Sequence, residues 1–179
     1  MHRAALMPLI ALLVGCSATN DESTRLPDGA SDPGYSATGA EIIQTGIDGE
    51  PRYRLQAARI EQDPRSLETR LQDLRLETRV RGGSSIWNVS APRGVLSRDA
   101  RRIDLAGGVL LAGGASDAAD ALRLDTESLQ YDLETARVRT NGEVRLTLQG
   151  HALSATGLDA NLRTRQVQLR ADVRGRFTP

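Results

Sequence analysis

Side chains able to do covalent or metal chemistry are few and scattered in this 179-residue sequence. Of its two histidines, His2 falls in the first residues and His151 stands alone beside a glycine, so neither a Ser-His-Asp relay nor a set of imidazole ligands can be assembled. Asp99, Asp104, Asp125, Asp132 and Glu134 fall at turns or at outward strand positions, where solvated carboxylates are the expectation, and nothing marks a pair for acid–base work. Gly107-Gly108 and Gly113-Gly114 lack the Gly-Lys-Ser/Thr ending of a phosphate-cradling loop and read as turns. The sequon Asn88-Val89-Ser90 lies in an alternating run and reads simply as strand. Formal net charge is zero, which leaves no surplus of positive charge to displace counterions from a nucleic acid. Every basic residue is arginine and none is lysine; we read this first as genome composition and only second as forks for phosphorylated headgroups. The expectation is a chain that is not an enzyme, with no cofactor, no metal site and no nucleic-acid partner.

The one remaining reactive group is the thiol of Cys16, the only cysteine. His2 and Arg3 precede an apolar run from Ala4 to Val14 that is too short to span a bilayer and carries Pro8. The run ends Leu13-Val14-Gly15-Cys16, which resembles the bacterial lipobox, where the leader is cut before a cysteine that then receives acyl chains. Residues 1–15 are therefore predicted to be a lipoprotein signal peptide. Residues 16–39, rich in Ser, Thr, Asp, Gly and Pro, are predicted to be the lipidated cysteine and a flexible linker, because they hold too little apolar surface to offset their ordering entropy. A lone cysteine can form no internal disulfide.

From about Ala40 the sequence alternates. Glu41–Ile47 and the Tyr53, Leu55, Ala57 run read as a first hairpin. The next strand, Thr69–Val80, changes parity between Leu71 and Leu74, which places a bulge near Asp73. Trp87–Leu111 then reads as strand, strand, turn, strand, glycine turn, strand, and the pattern returns with Leu124 for Val89, Tyr131 for Leu96, Val138 for Ile103, Gly142 for Gly107 and Val144 for Val109. Ala112–Asp120 reads as a small-residue loop. Leu122–Thr126, Ser128–Leu133, Ala136–Thr140, Glu143–Gln149, Leu153–Leu162 and Gln166–Arg174 follow as further strands, about a dozen in all, and no segment holds helical spacing better than alternation. With aromatics at only 3%, the inner faces are lined by aliphatic side chains.

The run Asp48-Gly49-Glu50-Pro51-Arg52-Tyr53-Arg54-Leu55-Gln56-Ala57, the Leu71–Leu76 strand, Trp87 followed by Val89-Ser90-Ala91, and the closing Gly157–Leu162 segment together resemble the LptC family of the lipopolysaccharide-export bridge, from about Ile42 to Phe177. The resemblance implies an all-β fold, an antiparallel β-jellyroll of the OstA/LptC type over residues 40–179, open along one side to hold lipid A chains. It also implies three kinds of partner: lipopolysaccharide, an inner-membrane ABC extractor complex, and a soluble periplasmic bridge jellyroll protein. The aliphatic face proposed for the lipid comprises Leu55, Leu71, Val89, Ile103, Leu105, Leu124, Tyr131, Leu133, Val138 and Val144. The terminal strand, with Val167, Leu169, Ala171 and Val173 on one parity, is the expected docking edge. Family members usually carry a transmembrane helix, whereas this chain carries the lipobox. The expected location is periplasm-facing and membrane-anchored through acylated Cys16, at the inner membrane by family and at the outer membrane by the Ser17 that follows. A structural β-solenoid envelope lipoprotein with a dry core and no lipid ligand is the alternative, a relative of the soluble bridge protein a variant within the same fold, and an envelope enzyme the third reading.

Overall fold

Aliphatic side chains on one parity and Arg, Gln, Asp and Glu on the other suit a pleated surface with one face buried, and the sequence is written this way almost throughout. The computed structural model describes residues 34–79, 86–114, 121–148 and 151–176, and every regular element among them is a strand. These are β1 (Ser36–Thr45), β2 (Pro51–Gln62), β3 (Thr69–Arg79), β4 (Ile86–Leu96), β5 (Arg102–Gly114), β6 (Ala121–Asp132), β7 (Arg137–Leu148), β8 (His151–Asn161) and β9 (Gln166–Arg176). Each pairs antiparallel with its neighbours in sequence, giving one nine-stranded meander whose edges are β1 and β9. Antiparallel pairing throughout is not the parallel coil of a β-solenoid. The signal-peptide reading, Cys16 and the linker as far as Pro33 lie outside the described residues, as do residues 115–120 of the expected small-residue loop.

Two expectations about the strands need correction. The first strand among the described residues begins at Ser36 and not near Ala40, because Ser36, Ala37 and Thr38 face Glu61, Ile60 and Arg59 across the ladder; the partner strand supplies a pairing that these exposed residues do not advertise by alternation. The dozen short strands are nine long ones. Leu122–Thr126 and Ser128–Leu133 belong to β6, apart from Leu133 in the turn beyond it, and Ala136–Thr140 and Glu143–Gln149 largely to β7. Gly107-Gly108 and Gly142 stand inside β5 and β7, and Ala112 with Gly113-Gly114 forms the end of β5, paired with β4, so none of these glycines is at a turn.

The breaks that look like turns in sequence are bulges. Register shifts fall between Ser90 and Arg93, Ala106 and Val109, Thr126 and Gln130, Thr140 and Glu143, and Ser154 and Thr156, so every ladder from β4 to β9 is interrupted midway. A bulge bends its strand and sharpens its twist. Gly107 and Gly108, both at φ +92°, occupy backbone that only glycine adopts cheaply. Asp73 (φ +48°) does the same in β3, where the sequence placed a bulge, and Asp172 (φ +52°) in β9.

Side by side, the bulges form a crease, and each strand gives its two halves to two facing layers. Tyr53, Leu55, Leu76, Trp87, Val89, Leu111, Leu124 and Leu146 line one layer; Ile60, Leu71, Ile103, Leu105, Leu129, Tyr131, Val138 and Leu158 line the other, and all join one buried cluster. One row of hairpin ends repeats a single device. The Oδ1 of Asp63 accepts the N–H of Arg65 and Ser66 (2.9 and 3.1 Å), that of Asp132 the N–H of Glu134 and Thr135 (3.0 and 2.7 Å), and that of Asn161 the N–H of Arg163 and Thr164 (2.9 and 3.2 Å). Left-handed residues close these turns, at Leu67, Ala136 and Arg165. The sequence repeat is this unit of two creased strands and one capped turn, which puts Val89 and Leu124, or Ile103 and Val138, at equivalent places in successive hairpins.

Candidate functional site

Of the ten residues expected to face a lipid, nine are 2% exposed or less and point between the layers. Leu133 does not share their strand face: it follows β6 in the turn, donates its N–H to the Arg101 carbonyl (2.8 Å) and is half-buried against the core. Its parity in sequence matches Tyr131 and Leu129, but the capped turn at Asp132 has already taken the chain out of the sheet.

The interior is not filled evenly. Around β3 to β5 it is close-packed: a Cβ added at Gly94 would meet Leu74 Cδ2 at 2.5 Å and Leu105 Cδ2 at 3.4 Å. Towards β9 the layers part around an apolar cleft of about 510 Å³. Trp87 and Leu111 line it with Leu122, Leu124, Leu146, Leu148 and Leu153 of the same layer, and Val138, Leu158, Ala160, Leu162, Val167 and Leu169 lie opposite; Asn161 and Arg165 are its polar members. Leu124 and Val138 are the members of the sequence-derived face that line it. Leu122, Leu146, Leu153, Leu158 and Ala160 belong to the same alternation and could have been picked from it. What no strand records is which inward positions meet a filled layer opposite and which do not.

Two polar atoms are buried in this interior without a hydrogen-bond partner, Trp87 Nε1 and the Tyr131 hydroxyl. Burial pushes the Tyr131 phenol up to about 12, and the Thr78 hydroxyl of the facing layer, which itself donates to the Arg52 carbonyl (3.4 Å), eases that shift. The carboxylates considered for chemistry are occupied elsewhere. Asp104 meets Arg102 (3.4 Å), Asp125 meets Arg123 (3.0 Å) and Glu134 meets Arg101 (3.5 Å) on the outer face. The Ser97 hydroxyl and the Arg101 N–H hold the Asp99 carboxyl below its usual range. Partial burial works against charge on Asp132, but the Thr135 N–H and hydroxyl and the Glu134 N–H outweigh it and lower its pKa. Asp99 and Asp132 are thus held in the charged form, the opposite of what a general acid needs. Among the described residues no three metal-ligating side chains cluster, and no helix is long and apolar enough to cross a membrane.

The cleft ends at β9, which among the described strands pairs with β8 alone. Val167 and Val173 are 37% and 54% exposed, Ala171 is exposed and Leu169 half-buried, so the outermost strand offers apolar side chains beside an unpaired backbone edge. Arg170 ties the strand down: its aliphatic stem lies over Gly157 of β8 and its guanidinium donates to Asn141 Oδ1 of β7 at 2.8 Å.

A search of curated proteins finds no match to the chain. Among solved structures, LptH of Pseudomonas aeruginosa, described as the LptA-homologous periplasmic component of the lipopolysaccharide transport device, aligns with a TM-score of 0.58 over 71% of this chain and 95% of its own, at 15% identity. The likeness is one of fold: the creased, open antiparallel sheet is an LptA-like jellyroll. The sequence model of the family described as "Lipopolysaccharide-assembly, LptC-related" matches residues 4–178. Matched over nearly its whole length, the chain belongs to the LptC-related family of lipopolysaccharide-assembly proteins.

Proposed function

We propose that the protein is a non-catalytic carrier and coupling module that receives lipopolysaccharide from an inner-membrane ABC extractor and passes it to a soluble periplasmic bridge jellyroll. The observation that carries this reading is the apolar cleft between the layers, which runs to the open β9 edge in a chain of a lipopolysaccharide-assembly family. Acyl chains enter the cleft at Leu124 and Val138, and the rest of the inner face, Leu55, Leu71, Val89, Ile103, Leu105, Tyr131 and Val144, forms the packed wall against which it opens. The β9 edge, through Val167, Leu169, Ala171 and Val173, docks the next jellyroll by strand addition so that the apolar lining continues across the joint. An acylated Cys16 holds the domain to a membrane on its periplasmic face; one chain binds only marginally, at about 0.8 kcal/mol per buried CH₂, so stable anchoring takes more than one.

Photo-crosslinking in cells tests the carrier role. A photoreactive residue at Leu124 or Val138 should capture lipopolysaccharide, one at Leu71 or Leu105 should capture less, and one at the outward Arg75 or Asp104 none. Equal capture at all six positions would refute a cleft-bound ligand.

A further inference from the structure

The cleft has an inner end as well as an open one. Followed through the sheet from β9, its lining thins to Leu111 on β5 and then Trp87, its sole contributor from β4, while β1, β2 and β3 contribute nothing. Trp87 is 2% exposed and is wedged against β5, where a Cβ on Gly113 would meet its Cε3 at 2.9 Å, so the indole has no free space behind it on that side. On the side away from the cleft Trp87 faces Thr78 of β3 across the ladder, and Thr78 faces Tyr53 of β2, both buried. The cleft, open at its β9 side, has a volume of about 510 Å³, which at about 30 Å³ for a unit the size of a water or a methylene is of the order of one long acyl chain of about sixteen carbons and far less than a many-chained amphiphile.

We propose that Trp87 is the end stop of a single-chain site: the cleft takes one acyl chain of about sixteen carbons, and the indole sets that length. This rests on reading the cleft as the acyl-chain site and adds to it the number of chains gripped and the residue that measures them. An amphiphile with more chains is then held by one, its others lying outside the described jellyroll or in the docked neighbour.

The test is a titration of full-length protein with saturated fatty acids from about ten to about twenty carbons, below their critical micelle concentrations, read by displacement of a fluorescent fatty acid. Affinity should rise about fourfold per methylene, the equivalent of about 0.8 kcal/mol, and stop rising near about sixteen carbons. Trp87 is the only tryptophan, so its emission should change only for chains long enough to reach it. Trp87→Ala should move the stop to chains about four carbons longer, and Ala160→Leu, which fills cleft space, should move it to shorter ones and decides the matter if the alanine variant does not fold. Affinity that climbs through the whole series, or a stop unmoved in both variants, overturns the end-stop role alone. Absence of binding at every length overturns it together with the acyl-chain reading of the cleft.

Discussion

Tyr131 is among the largest side chains fully buried in the protein, and its hydroxyl has no partner there. An orphaned polar group of this kind costs about 1–3 kcal/mol, so Tyr131→Phe, which keeps the ring and removes the oxygen, should leave the fold as stable or raise its stability by about 1 kcal/mol at neutral pH. The phenol also creates a pH dependence of definite sign. Its folded pKa of about 12 lies above the unfolded value near 10, so the unfolded chain ionises first and binds fewer protons in that window. Stability is intact below pH 10 and falls as pH rises towards 12, by about 2–3 kcal/mol in all. Urea melts at about pH 8 and about pH 11 should show the wild type losing about 1 kcal/mol more than Tyr131→Phe between the two conditions. Equal losses would mean that Tyr131 is reached by solvent in the folded state.

At the scale of the strand, the crease matters more than the turns. A flat pair of half-strands exposes one apolar face to water, and the bulges fold that face onto itself. Gly108 separates backbone cost from steric cost, because its φ is +92° yet a Cβ there would meet nothing within 4 Å. Gly108→Ala should therefore destabilise by about 1–3 kcal/mol through the backbone alone. Gly142→Ala, at the matching bulge of β7 without a left-handed φ and with only Thr140 Oγ1 at 3.6 Å, should cost well under 1 kcal/mol. Denaturant midpoints of the two variants against the parent would check the contrast, and equal effects would show that the bulge in β5 does not depend on its left-handed backbone.

At the largest scale, the described strands form a sheet that closes over its apolar face without closing its edges. The edge at β9 sits where the cleft ends, and its exposed Ala171 and Val173 contribute little to internal packing. Lysines on an edge strand discourage strand addition, and exposed substitutions usually change stability by less than about 0.5 kcal/mol each. Ala171→Lys with Val173→Lys should thus leave the thermal midpoint nearly unchanged and weaken binding of the proposed bridge jellyroll at least about tenfold, measured by titration of the purified partners. Unchanged binding would move the coupling to β1, where Ile43 is 46% exposed.

What the sequence alone determined is what alternation encodes locally. The parity of Tyr53, Leu55 and Ala57, the parity change around Asp73 and the near-copy of Trp87–Leu111 one hairpin later were all legible, because a strand's inward face is a property of that strand and its pleat. The same local view misread Gly107-Gly108 and Gly142 as turns: glycine signals left-handed or permissive backbone, and only the partner strand decides whether the chain reverses there or bends and continues. It also kept Leu133 on the strand face, one residue past the capped turn that removes it. The cleft was the least legible feature. Leu105 and Leu146 carry the same side chain on the same kind of inward position, yet one lies in packed core and the other lines open space, since packing depends on what the facing layer brings across the gap. That pairing joins residues far apart in sequence and forms only when the crease closes, so the tertiary structure alone decides where the interior can hold a ligand.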